Sequence, residues 1–195
     1  MATAPTEATV PAADRSRDGT TLRGEYAVNR LASALSLPTE TRDDAHRLLH
    51  GAFEADACPD RNPETVGAAA TYAAVRLAEL PRTKAEVVEA SDLPHHLVSR
   101  AYDELVRAFG LCLSATGPER FVGRVVDACD LPAAVEGRAR DRLAAVDPHD
   151  SDDPLGIAAA AVVAASDATP ATVTAELPVS TLAVRSWYAP RFDGE

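Results

Sequence analysis

Lysine is almost missing from this sequence. Lys84 is the single one, so arginine carries nearly all of the positive charge, and 19 basic side chains face 30 acidic ones for a net charge of −11. Nucleic-acid-binding domains usually present a basic face, so this balance argues against one on ordinary grounds. An acidic, lysine-poor chain is also what a salt-rich cytoplasm favours; a GC-rich gene for an ordinary acidic protein is the plainer alternative. In molar salt the screening length falls to roughly 3 Å, and charge then counts for little at a distance. Counterion release adds little to DNA binding under those conditions, so specific contacts and apolar surface would have to dominate.

Cysteine is scarce too. Cys58, Cys112 and Cys129 are widely spaced and form no C-x-x-C pair, which excludes a zinc ribbon. Three thiols cannot all pair, and helical surroundings suit them as small buried residues or free thiols. No secretory segment opens the sequence, and no apolar run reaches the roughly 18 residues a membrane helix needs. The alanine runs at 68–74 and 157–165 are too short. The expectation is a soluble, cytoplasmic, nucleoid-associated protein without a membrane partner. Nucleophile elbow, phosphate loop and dinucleotide fingerprint are all missing, so neither an enzyme nor a cofactor is expected. Aromatics make up only 5% of a chain that is 46% hydrophobic. Closely packed helices with small contact residues give that composition.

An internal repeat is present instead. Asn62-Pro63-Glu64-Thr65-Val66-Gly67-Ala68-Ala69-Ala70-Thr71-Tyr72-Ala73-Ala74 is echoed by Asp153-Pro154-Leu155-Gly156-Ile157-Ala158-Ala159-Ala160-Ala161-Val162-Val163-Ala164-Ala165. Each copy opens with a capping side chain and a proline, then runs into a helix apolar nearly all round, the mark of a central helix. Each is followed by a short polar segment, a Leu-Pro dipeptide (Leu93-Pro94, Leu177-Pro178) and a helix with a matched pair, Val98 with Tyr102 and Val184 with Tyr188. A period of about 90 residues exceeds that of solenoid units and points to a duplicated domain.

The fold expected is all-α, with ten helices in two sets of five. Residues 1–20 read as a disordered tail, 21–113 as the first repeat, and 114–195 as the second with a helix-turn-helix-like end. In the first repeat the periodicity predicts helices over Glu25–Leu35, after Thr39 (expected to cap), and from Asn62. A capping box at Thr83 and Glu86 opens a short helix, and His95–Phe109 closes the set with Gly110 at its end. In the second, helices are expected from Gly117-Pro118, Pro132, Asp153-Pro154, Pro170, and from Ser180 or Thr181. A short helix, turn and longer helix is the layout of a helix-turn-helix, although helical bundles also contain such pairs as plain scaffold.

These signatures resemble the core of archaeal transcription factor B, a relative of eukaryotic transcription factor IIB. In that family the core is two five-helix, cyclin-like repeats. The third helices carry a proline-led alanine-rich signature like Pro63–Ala74 and Pro154–Ala165. The fifth carry a β-branched residue, arginine, two variable residues and tyrosine. Val184-Arg185-Ser186-Trp187-Tyr188 fits; Val98-Ser99-Arg100-Ala101-Tyr102 fits with the arginine displaced by one. The resemblance covers roughly residues 24–192. It implies binding to the TATA-binding protein on promoter DNA, with RNA polymerase or a complete transcription factor B as further partners. It also implies a reading helix at the end of the second repeat, placing Ser180, Thr181, Leu182 and Arg185 at DNA.

The sequence departs from the family in lacking the cysteine-rich ribbon and in the acidity of 117–195. A core of this kind could compete with the complete factor or act as an adaptor. It could also have lost DNA binding and survive as a protein-interaction module. His95, His96, Arg100 and Trp187 are candidate partner contacts. Against these stand bland readings: helix capping for the histidines, core packing for Trp187 and a surface ion pair for Arg185. His46 and His50 stand four apart on a helix, a metal-binding spacing, but no third ligand is evident, so no metal is expected. Asp150, Asp152 and Asp153 lack the glycine and terminal glutamate of a calcium loop and read as a cap with a solvated acidic loop.

Overall fold

The computed structural model describes residues 12–113, 116–145 and 153–191. Among these, ten α-helices and one 3-10 turn account for all the regular structure. In order they are α1 (Ala12–Ala34), α2 (Thr39–Glu54), α3 (Pro63–Leu77), α4 (Lys84–Ser91), α5 (His95–Phe109), α6 (Val122–Ala128), α7 (Ala134–Ala144), α8 (Pro154–Ala164), α9 (Pro170–Glu176) and α10 (Thr181–Arg191). The fold is all-α, two successive five-helix sets of the cyclin-like kind. None of the described helices is long and apolar enough to cross a membrane.

Backbone contacts divide the chain into two compact units. The first holds the described residues up to Ala74 together with Val87–Cys112; the second holds Val75–Glu86 and the described residues from Leu113 on. In the first unit α3 is the axis, with Val66, Ala68, Ala69, Ala70, Ala73 and Ala74 all sealed from solvent. Gly67 permits the closest approach: a Cβ there would meet the Gly24 carbonyl oxygen of α1 at 2.8 Å. One apolar cluster joins Val28, Leu49, Val66 and Leu105, and another joins Leu31, Val87 and Val98. In the second unit α8 is the axis, buried without a break from Leu155 to Val163. It packs with Phe121, Val125, Val135, Ala139, Val173 and Val184.

Proline-led starts work as the side-chain chemistry dictates. Asn62 Oδ1 accepts from the Thr65 amide at 2.7 Å, and the Asp153 carboxylate accepts from the Leu155 amide at 3.2 Å. The capping box is reciprocal: the Thr83 amide donates to Glu86 at 2.8 Å and the Glu86 amide donates to Thr83 Oγ1 at 3.2 Å. Gly110 ends α5 in the left-handed conformation, φ 58°.

Three expectations need correction. The first helix begins at Ala12, not near Glu25, so residues 12–20 are helical rather than tail; residues 1–11 lie outside the described residues. Apolar periodicity reports burial, whereas a helix already nucleated on a core can extend by backbone hydrogen bonding through residues that show no apolar stripe. Thr39 is the first residue of α2 and caps nothing; Pro38 occupies the cap position. The helix expected from Gly117 is broken in two. Pro118–Arg120 forms a tight 3-10 turn, and α6 begins only at Val122. Pro148, His149, Asp150 and Asp152 lie outside the described residues.

Among the described residues, each unit holds a forked arginine–glutamate pair. In the first, Arg61 donates to both Glu104 oxygens, at 3.1 and 2.6 Å. Beside it, burial pushes the Cys58 thiol up to about 11, with the Glu104 charge adding to the effect. In the second, Arg124 donates to both Glu86 oxygens, at 2.9 and 2.5 Å, and to the Pro81 carbonyl at 2.7 Å. Burial alone would raise the Glu86 carboxyl. Hydrogen bonds from Arg124 and Thr83 outweigh it and hold the group below the ordinary carboxylate range.

Candidate nucleic-acid interface

The last two helices of the second unit are fixed by small polar side chains. Thr169 caps α9, accepting from the Thr172 amide at 3.2 Å. Leu177 is extended and buried, turning the chain out of α9. Ser180 caps α10, its hydroxyl accepting from the Ala183 amide at 3.0 Å. Thr181 shares a hydrogen bond with Thr174 at 3.0 Å, which ties the start of α10 to α9. That pairing has no signature in the sequence and was not anticipated.

Val184 is completely buried and anchors α10 on the α8 core. The opposite side of the helix is open. Leu182 is 78% exposed, and Arg185, one turn on, is exposed with no ion pair among the described residues. Positions three apart on a helix lie side by side, so a methyl-rich tip and a guanidinium share one face. The surface ion pair weighed for Arg185 does not form within the described residues. Of the four residues expected at DNA, Leu182 and Arg185 are free to reach outward. Ser180 and Thr181 already use their hydroxyls to build the helix start.

The partner-contact candidates fall out differently. Trp187 is half-buried and packs against the second unit's core, as the core reading of it holds. Tyr188 follows Val184 on α10, but its side chain lies outside the described residues. In the first unit, Val98 is sealed and the Tyr102 ring packs on Tyr72 at 4.9 Å. His95, His96 and Arg100 are exposed on α5, with His96 and Arg100 one turn apart. Pro94 stands at the N-cap of α5 and gives no side-chain cap.

One group of possible metal ligands occurs among the described residues, and the sequence hid part of it. His46 and His50 of α2 meet Glu25 of α1. A carboxylate 21 residues upstream of the first histidine has no legible spacing; only the pairing of α1 with α2 reveals it.

Comparison with known proteins agrees with this architecture. A family model described as "Transcription factor TFIIB repeat" matches residues 17–108. "Transcription initiation factor IIB 6" of Halobacterium salinarum is 32% identical over 176 residues, covering 86% of this chain and 55% of that protein. The chain belongs to the transcription factor IIB family. "Transcription initiation factor IIB 2" of Haloferax volcanii is 35% identical over 159 residues, 80% of this chain and 48% of its own length. "Transcription initiation factor IIB" of Methanococcus maripaludis is 36% identical over 142 residues, 71% of this chain and 42% of its own. The chain thus spans about half the length of these curated relatives, two of which come from halophiles.

Proposed function

We propose that this chain acts at promoters as a transcription factor IIB-like core. In this reading it binds DNA together with the TATA-binding protein and assists or regulates transcription initiation. RNA polymerase or a complete transcription factor B would be the further partner. The observation that carries the proposal is the open face of α10, where Leu182 and Arg185 project side by side from a helix anchored by Val184. An arginine in the major groove donates two hydrogen bonds to guanine O6 and N7, and a leucine tip packs on a thymine methyl. The amides in the first turn of α10 that Ser180 does not cap suit a phosphate at the helix start, with Ser180 and Thr181 holding that start in place.

A gel shift in high salt, with the TATA-binding protein and a TATA-containing promoter, tests the reading. A slower complex that weakens on Arg185→Ala supports it. No added shift, or undiminished binding by the variant, defeats the DNA-reading claim. The excess of acidic over basic residues in 117–195 favours a second reading, a protein-interaction module that no longer touches DNA. Partners recovered from host lysate after nuclease treatment would support that alternative.

A further inference from the structure

The groove between α1 and α2 gathers side chains that the promoter role does not use. α1 contributes Glu25 and Asn29 and α2 contributes His46 and His50, each pair one helical turn apart. His50 Nε2 lies 3.0 Å from Glu25 Oε1, and His46 Nε2 lies 3.0 Å from Asn29 Oδ1. The two imidazoles tilt by 34° with centroids 6.5 Å apart. A ligand atom from each of Glu25, His46 and His50 falls within 4.8 Å of the others, and all three side chains are half-buried.

We propose that Glu25, His46 and His50 form a binding site for a borderline transition-metal cation of the zinc class, with water or the Asn29 amide oxygen as fourth ligand. Two imidazoles and one carboxylate are a ligand set that zinc, cobalt, nickel or copper accepts, whereas magnesium and calcium require oxygen. Ligand bonds of about 2.0–2.2 Å put tetrahedral ligand atoms about 3.4 Å apart. Small side-chain rotations bring the three atoms to that separation, because each ligand stands on a regular helix with a neighbour one turn away. Metal binding here would pin α1 to α2, whose own polar contacts across the groove are a carboxylate–imidazole pair and an amide–imidazole pair. Half-burial leaves one side of the site open for the fourth ligand to exchange. The site sits in the first unit and does not depend on DNA reading by α10.

Cobalt(II) titration of the full chain tests the proposal. One equivalent should give the ligand-field bands of a low-symmetry nitrogen–oxygen site, without a thiolate charge-transfer band, and zinc should displace it. Zinc should raise the melting temperature of the wild type. His46→Gln and His50→Gln should each weaken binding roughly tenfold or more and remove the zinc-induced shift. Glu25→Gln, which keeps the shape and removes the charge, should weaken binding too, and Cys112→Ser should leave it unchanged. Three outcomes would overturn the assignment: no saturable binding up to about 1 mM zinc, a thiolate charge-transfer band, or equal affinity in the histidine and glutamate variants, each shown to be folded by circular dichroism.

Discussion

α5 and α10 close the two units in equivalent positions, and they agree only on the inside. Val98 and Val184 are both fully buried and anchor their helices in the same way. Outside, α5 presents His96, Arg100, Asp103 and Arg107, a mixed polar row. α10 presents Leu182, Arg185 and Ser186 and carries no exposed carboxylate among its described side chains. A mixed row suits solvent, phosphate or a polar partner. A leucine beside an arginine suits the edges of bases, where a methyl and a pair of acceptors must be met together. Packing constrains the inner face of both copies, and the outer faces have been free to specialise. The promoter contact proposed here belongs on the second copy for that reason.

The arginine–glutamate forks give the largest test of how far the units differ. Glu86 is only 8% exposed and Arg124 17%, against 31% for Glu104 and 19% for Arg61. Arg124→Met strips the buried carboxylate of its forked partner and leaves only the longer Arg82 contact, at 3.4 Å, beside the Thr83 bonds, and a loss of up to about 3 kcal/mol is expected in urea unfolding of the second unit. Arg61→Met should cost clearly less, since water can reach Glu104. The double variant Arg124→Met/Glu86→Gln should recover part of the loss. The acid side adds a signature. Because the folded Glu86 is held below its ordinary range, its contribution is complete above that range and disappears as pH falls through the folded value. Stability of the wild type should therefore fall more steeply in acid than that of Arg124→Met. Equal costs for the two arginines would erase the distinction.

Next in size is the contrast in DNA contact. Arg185→Ala should weaken the promoter complex by roughly 1–3 kcal/mol, about 5- to 150-fold, and relax preference at one base position. Arg100→Ala, at the displaced position of the first unit, should change affinity by far less. Competition gel shifts over a panel of single-base promoter variants measure both. If Arg100→Ala proves the more damaging, the specialised face is on α5 and the assignment is reversed.

Much of the fold was legible because the signals were local. Asn62-Pro63, Asp153-Pro154 and the Thr83–Glu86 box place their helix starts by chemistry confined to three or four residues. The all-round apolar runs after the two prolines identify α3 and α8 as axes. The buried partner of each final helix, Val98 and Val184, follows from periodicity and from the family pattern. What escaped was either longer-range or unrelated to burial. α1 extends back to Ala12 without an apolar stripe to announce it. Glu25 joins His46 and His50 only because α1 lies along α2. The Thr174–Thr181 bond depends on the angle of a turn that no residue pattern encodes. On α10, the family pattern singled out Leu182 and Arg185, which are exposed, but the internal commitment of the Ser180 and Thr181 hydroxyls had no signal in the sequence.

The smallest effect expected concerns how the two final helices begin. α10 starts with a serine whose hydroxyl accepts from the Ala183 amide, while α5 starts at Pro94 with no side-chain acceptor. Ser180→Ala should cost about 1 kcal/mol, the usual value of an N-cap, and it should loosen α10 more than α9 in hydrogen exchange. The reciprocal change, Pro94→Ser, offers α5 the acceptor it lacks, and the extended backbone there, φ −59° and ψ 129°, can present it. The gain should nevertheless stay under about 0.5 kcal/mol, because removing proline frees the unfolded chain and gives back most of what the cap contributes. A full kilocalorie gained at Pro94 would mean that the uncapped start of α5 is a defect of that helix. A gain near zero would mean that proline stiffness and hydroxyl capping are alternative solutions to the same problem, one adopted by each copy.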